Sequence, residues 1–548
     1  MHSLFPTSFL TAATTFAIIA ASLAGDADRA PSHAAPTPAE DSHFLESSRC
    51  AECHSTAATA NALWSRTGDD VSPYATWNAT MMANAFRDPY WRAQVRKEVS
   101  AAADDAAGAA IEALCVKCHA PMVHHDARLA GRASPGVFAS AGEPLAEDGV
   151  SCTVCHQATG EGFGTEASFS GDLDIGTERK IFGPYPDPAG RPMLMHTGYT
   201  ATHGAHIEDP GLCATCHTLF THHAADGSAF SEQAPFLEWR NSVFADPEGE
   251  PDSARTCQEC HMPEVGTMRI ARNPAGRDFN IPLREGFRAH TFIGGNAFML
   301  DLMRRNAAEL GVTADADALK RNARATRAQL AQLTADLEIL DAELAGGELS
   351  FALLVRNRTG HKFPTGYPAR RAWLHVQVRA GRTLLWESGR PTADGRIVGI
   401  GDERGQPHHT MIREPSQVQV YETVAADADG APTTYLTRMV RTTKDNRLLP
   451  RGWRADGQHA ETTAPVGIDG DADFRGGEDR VAFRIALDEA RSERLTVVAW
   501  LLYQPVPPAW VDPLRAIEGD EPAAFVRMYD GAEKTPETVA VTVAVVGG

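Results

Sequence analysis

The stretch Cys50-Ala51-Glu52-Cys53-His54 recurs in form four more times: Cys115-Val116-Lys117-Cys118-His119, Cys152-Thr153-Val154-Cys155-His156, Cys213-Ala214-Thr215-Cys216-His217 and Cys257-Gln258-Glu259-Cys260-His261. These five pentapeptides use all ten cysteines, and histidine follows each pair at once. Two thiols three positions apart can reach two carbons on one edge of a porphyrin. The adjacent imidazole then reaches the iron, so the pattern reads as covalent attachment of haem c. Structural disulfides would not require a histidine after every pair. Tetrahedral zinc sites need four ligands, and five pairs do not divide into such sites. Redox Cys-x-x-Cys motifs carry histidine only incidentally. Histidine is 21 of 548 residues, so five of five by chance is on the order of one in ten million. The expectation is five covalently bound haem c groups, held by the ten cysteines, with His54, His119, His156, His217 and His261 as proximal iron ligands.

Working outward, a chain of 548 residues is too long for one core. Its 43% hydrophobic and 22% charged residues are those of an ordinary soluble protein. A net charge of -20 argues against nucleic acid, which needs a basic face. It fits a solvated surface or docking to a basic redox partner. An apolar run from Phe9 to Ala24 precedes Gly25-Asp26, with Ser22-Leu23-Ala24 as a small-x-small cleavage site. This predicts a signal peptide over 1–24 and export to a periplasmic or extracellular compartment of bacterial type, where haem c is attached. The run's leading residues hold His2 but no Lys or Arg, and the alternative is an uncleaved anchor, the one route to membrane association.

The predicted fold class is α+β and multidomain. Residues 25–42, rich in Ala, Pro and Asp, read as a disordered linker. Residues 43–297 carry all five motifs and read as a mainly helical and irregular pentahaem domain, with helices at Thr76–Ala103 and just before Cys115. Residues 298–346 read as a helical hairpin linker, because Leu319, Ala323, Leu330, Leu333, Leu337 and Leu340 fall on one helical face and Asp315 or Asp317 is placed to cap. Residues 347–548 alternate and read as an antiparallel β-sandwich. Its expected strands are Leu349–Val355, Ala372–Val378, Leu384–Glu387, Gln417–Thr423, Tyr435–Val440, Val481–Ala486, Leu495–Tyr503 and Thr538–Val546. Asp469-Gly-Asp-Ala-Asp473 invites a calcium reading, but Phe474 and Arg480 stand where the loop template wants Gly and Glu, so a turn is expected.

Several phrases outside the motifs look familiar: Trp77-Asn-Ala-Thr-Met-Met-Ala83, Phe86-Arg-Asp-Pro89, Ser231-Glu-Gln-Ala-Pro-Phe-Leu-Glu-Trp239, His290-Thr-Phe-Ile-Gly-Gly-Asn296 and Gly360-His-Lys-Phe-Pro-Thr-Gly-Tyr-Pro368. Together they resemble exported multihaem cytochromes with a cytochrome c-552/c-554-type haem domain, a group distantly related to octahaem hydroxylamine oxidoreductase. The resemblance implies haem pairs in close contact, bis-His ligation at most irons, and electron transfer. It fixes no substrate. No motif is Cys-x-x-Cys-Lys, the catalytic attachment of pentahaem nitrite reductase, and there are five motifs rather than eight. Both departures weaken an enzymatic carry-over.

Distal ligands must be neutral imidazoles or thioethers. His290 leads, in its His-Thr-Phe phrase. His196 and His206 lie before the fourth motif, and His361 sits in a turn closed by Pro364. One of His124/His125 and one of His222/His223 can fold back from a nearby motif, and His43 is comparable. Met82 stands where related haem domains place a distal histidine after a Trp-x-x-Ser phrase. For each of these, core packing or a surface hydrogen bond is the plain alternative. The function expected is electron transfer through closely packed haems with redox partner proteins. The alternatives are an oxidoreductase acting on a small nitrogen or sulfur compound at one five-coordinate haem, and an oligomeric subunit of a cytochrome filament.

Overall fold

A computed structural model describes residues 42–222, 229–246, 249, 253–487 and 494–547. The expected signal peptide, the linker up to residue 41, and His223 lie outside the described residues.

The β-rich half is built around two large sheets, beside one two-stranded sheet. In one, the order is Thr383–Ser388, Arg371–Ala380, Leu495–Gln504, Glu537–Val546, with Val420–Tyr421 also pairing onto Arg371–Ala380; every pairing is antiparallel. In the other, the order is Met411–Ile412, Glu478–Ala486, Glu348–Asn357, Ala335–Ala345. The inward side chains of both sheets form one core, including Phe351, Leu353, Val376, Val378, Phe483, Ile485, Val497 and Leu501. Alternation dictates this, because every second residue of a strand shares a face. Phe351 and Phe483 are direct cross-strand partners and stack at 4.7 Å.

Four expectations need correction. The helical linker over 298–346 is helical only in its first part. Helices Ala297–Arg305 and Ala316–Gln329 pack together, with Asp315 capping the second through Ala318 N. A π-type turn over Leu330–Thr334 then gives way to strand Ala335–Ala345, which contains Leu337 and Leu340. These leucines satisfy the helical period, but they also fit a strand, and pairing of Leu337 with Val355 and Leu340 with Ala352 decides between them. The helix expected over Thr76–Ala103 is two helices, Pro73–Asn78 and Pro89–Ser100. Pro89 cannot donate within a helix, so it starts one, and the buried Asp88 carboxylate caps it by accepting from Tyr90 N and Trp91 N. The strand expected over Tyr435–Val440 is a short 3-10 turn at Leu436–Arg438, because Leu436 N and Thr437 N donate to Glu98 of the motif-bearing half. The strand there is Arg441–Asp445, paired with Thr423–Ala426. The Gln417–Thr423 strand shrinks to Val420–Tyr421, since Gln417 is used in a turn that accepts from Arg413 N and Glu414 N.

Residues His43–Gly548 form one unit rather than separate bodies. An unforeseen C-terminal helix, Asp520–Asp530, packs Phe525, Met528 and Tyr529 against Tyr90 and Ala93, and Arg96 clasps Glu521 through two bonds at 3.0 and 3.1 Å. No single described helix is long and apolar enough to cross a membrane.

The Asp469–Asp473 segment is a turn, as expected: the Asp471 carboxylate accepts from Asp473 N and Phe474 N. Asp471 also lies near His408 and Asp479. His408 Nδ1 faces two amide donors, Gln419 Nε2 at 2.9 Å and Asn446 Nδ2 at 3.1 Å. Its proton therefore sits on Nε2, directed at Asp471 at 2.8 Å, which occupies the lone pair a metal would need. Asp479 is fully buried with one oxygen unpartnered, and burial pushes its carboxyl up to about 6. The folded state thus holds a proton that the unfolded state releases, so this group's contribution to stability falls as pH rises from about 4 to about 6. Asp479→Asn should gain about 2–3 kcal/mol relative to wild type between pH 4 and pH 7. Unfolding midpoints of the two proteins across that range test this, and parallel pH profiles would refute it.

Candidate functional site

Each motif closes a helix. The helices are Ser47–His54, Asp105–His119, Pro210–His217 and Cys257–His261, while Cys152–Cys155 ends with His156 as its cap residue. Residues three apart on a helix are neighbours on one face, so each thiol pair presents a common edge, with the imidazole just beyond the last turn. Local chemistry fixes several starts: Asp104 and Asp209 cap two of these helices, Pro210 opens one, and Thr256 with Glu259 forms a capping box on another.

The five helix ends converge on one cavity of about 1440 Å³, lined by all ten cysteines and all five motif histidines. An ordinary small-molecule site is about 300–1,000 Å³. None of the ten cysteines is paired in a disulfide. Cysteines of different motifs lie close together: Cys50 beside Cys152, Cys213 beside Cys257, and Cys216 beside Cys118.

The motif imidazoles are oriented for metal. Nδ1 of His54 donates to Ile270 O at 3.0 Å, that of His119 to Ala85 O at 3.1 Å, and that of His156 to Phe182 O at 2.6 Å; His261 bonds Ile293 O in the same way. A carbonyl can only accept, so the proton is on Nδ1 and Nε2 keeps a free lone pair, the usual arrangement of a metal-binding histidine. Burial also keeps these rings neutral, pushing His119 and His217 down to about 4. Trp91 stacks on His119 at 4.2 Å and fixes its rotation.

Two further imidazoles face motif histidines across the cavity. The rings of His156 and His290 are 6.3 Å apart, and so are those of His261 and His361, with interplanar angles of 24° and 12°. Metal–imidazole bonds of about 2.0 Å on each side, plus about 1.1 Å from nitrogen to ring centre, require a centroid separation of about 6.2 Å. His290 Nδ1 donates to Arg288 O at 3.1 Å and His361 Nδ1 to Lys362 O at 3.0 Å, so both repeat the motif-histidine pattern. Burial pushes His290 down to about 3 and His361 to about 4. The donor set, its orientation and the spacing therefore fit haem c.

The other candidates divide. Met82 and His196 line the cavity, the latter from the exposed helix Gly190–Thr197. His206, His124, His43 and His222 do not line it. His206 spends Nε2 on Ala158 O at 2.9 Å and packs on Phe182, so it pins a loop instead. His124 gives Nδ1 to Ser134 Oγ. His43 N donates to Asp126, and its carbonyl accepts from Tyr199. His222 ends the strand Leu219–His222. Sequence reasoning missed Trp91 and the cavity contributions of Tyr367, Arg370 and Tyr503 from the β-rich half. No local spacing signal marks these, since they reach the site only through tertiary folding.

Comparison with known proteins agrees with this geometry. Residues 49–157, which contain the first three motifs, match the family model for cytochrome c554 and c-prime. Among solved structures the fold is similar to a penta-heme cytochrome c552 from Thermochromatium tepidum, at 16% identity and a TM-score of 0.53, over 92% of this chain and 99% of that one. Among curated proteins nothing matches. With its Cys-x-x-Cys-His helix ends opening into one cavity and its family match across three of them, this chain is a multihaem c-type cytochrome.

Proposed function

We propose that this chain is an exported pentahaem cytochrome that passes electrons between redox partner proteins, in the periplasm or outside the cell. The observation that carries the reading is the single cavity in which all five Cys-x-x-Cys-His motifs meet, with cysteines of three motif pairs side by side. Haem c supplies a one-electron iron couple when bound.

The protein residues do the rest. Each thiol pair fixes one porphyrin edge, so the three close cysteine pairs bring together the attachments of Cys50 and Cys152, of Cys213 and Cys257, and of Cys216 and Cys118. His156 with His290, and His261 with His361, would each hold one iron from both sides. Backbone carbonyls on Nδ1 keep the rings in the ligating tautomer and raise their basicity, which favours the oxidised state. Met82 and His196 are the remaining distal candidates on the cavity wall. An iron held by two imidazoles in this way would change little between redox states and would offer substrate no open position.

A second reading, turnover of a small nitrogen or sulfur compound at an open iron, is favoured by one observation. Beside Cys115, the buried carboxyls of Glu98 and Glu232 line the cavity, and burial pushes Glu232 up to about 7. His119 has an indole rather than an imidazole as its ring neighbour.

Mature protein should carry five covalent haems by pyridine haemochrome assay and intact mass; four or fewer in a fully matured sample would sink the stoichiometry. His290→Ala should turn one low-spin haem high-spin and leave the others little changed, whereas unaltered spectra would make His290 a packing residue. Carbon monoxide added to reduced protein should perturb at most one haem, with nitrite and hydroxylamine turnover near background. Stoichiometric binding at one haem together with rapid turnover of either compound would establish the second reading instead.

A further inference from the structure

His361 belongs to the β-rich half, in the connection between strands Glu348–Asn357 and Arg371–Ala380. Both flanks of that connection are tied down. On one side, Asn357 Nδ2 donates to His361 O at 2.8 Å and to Leu448 O and Leu449 O. Thr359 Oγ1 donates to His361 O as well. Gly360 sits so close to the motif-bearing half that an added Cβ would lie 3.1 Å from Trp239 Cδ1.

On the other side stands Lys362, completely buried. Its backbone N donates to Glu238 Oε2 at 2.9 Å, and its Nζ donates to Asp445 Oδ2 at 2.6 Å. Arg447 grips the same Asp445 through Nε at 2.8 Å and Nη2 at 2.7 Å, and Nη2 reaches Glu238 Oε1 at 3.1 Å. Glu238 is on helix Pro235–Arg240 of the motif-bearing half; the other three are in the β-rich half. Two cations and two anions make a neutral, closed quartet. Burial pushes the Asp445 carboxyl up, but Arg447 and Lys362 outweigh that and hold it well below the usual range.

Stability alone does not account for such a group. Buried ion pairs often contribute no more than well-packed apolar side chains would, and their best-attested use is to fix one geometry. Here the geometry fixed is that of the residue next to Lys362. We propose that Glu238, Lys362, Asp445 and Arg447 form a positioning quartet that holds the His361 imidazole opposite His261, so that the β-rich half acts as the ligand-bearing clamp on the haem of Cys257 and Cys260. This rests on the reading of His361 as a distal ligand.

The test uses the haem-loaded full chain, with spin state read by electron paramagnetic resonance and potential by redox titration. His361→Gly should lose one low-spin bis-imidazole signal, and added imidazole should restore it. Arg447→Met, which breaks the quartet without touching His361, should lose the same signal in whole or part, shift one midpoint potential, and also be rescued by imidazole. Retention of the signal in His361→Gly would overturn the ligand assignment and the clamp with it. Loss in His361→Gly, but an intact signal and unshifted potentials in Arg447→Met, would overturn the clamp alone. Should Arg447→Met not fold, Glu238→Gln, which keeps the side-chain shape and unbalances the charge, decides by the same two readouts.

Discussion

The constraint on which the molecule depends is the attachment geometry at each haem. Two sulfurs on one helical face and an imidazole one residue later must meet a flat, rigid group from one edge and from beneath. The helix has to end there, because the histidine must leave the helical surface to reach the ring centre. The residues after His54, His217 and His261 are accordingly out of helical conformation. Repeated five times, this produces short helices that stop at a shared space instead of packing their sides together. The motif-bearing half therefore has several small apolar clusters around the cavity, with no equivalent of the single large core between the two β-sheets.

That difference assigns the two halves different physical tasks. The sandwich core buries Phe, Leu, Val and Ile on both sheets and contains no residue of the five Cys-x-x-Cys-His motifs. Its loops are held by hydrogen bonds and buried charges, and reach across to the cavity. Helix Asp520–Asp530 and the Glu98 contacts to Leu436 and Thr437 add two more attachments between the halves. The phrases Ser231–Trp239 and Gly360–Pro368 lie more than a hundred residues apart, and they meet at Glu238, Trp239, Gly360 and Lys362.

Electrostatics inside the cavity serve ligation. Burial favours the neutral form of the facing His290 and His361, and carbonyls on Nδ1 leave their Nε2 lone pairs for a metal. The paired charges of the quartet lie behind His361, while the buried carboxyls of Glu232, on the cavity wall, and of Asp479 stand in environments that favour the proton.

The amino-acid sequence by itself determined the cofactor class, because the motif is local: five consecutive residues contain the whole chemical requirement. It also determined most sandwich strands, where alternation of apolar residues is strong over eight to ten positions, as in Glu348–Asn357 and Leu495–Gln504. Where two periods fit the same leucines, at Leu337 and Leu340, only strand pairing chose. Distal ligation is a long-range property, since an imidazole reaches an iron by virtue of where its backbone ends up. Candidate status rested on proximity in sequence for His206 and His124, and tertiary folding leaves both off the cavity wall, with His206 Nε2 bonded to Ala158 O. His290 and His361 face motif histidines because distant backbone places them there: Thr76 holds His290 N, and Asn357 with the Lys362 contacts holds His361. No spacing rule in the chain contains that information.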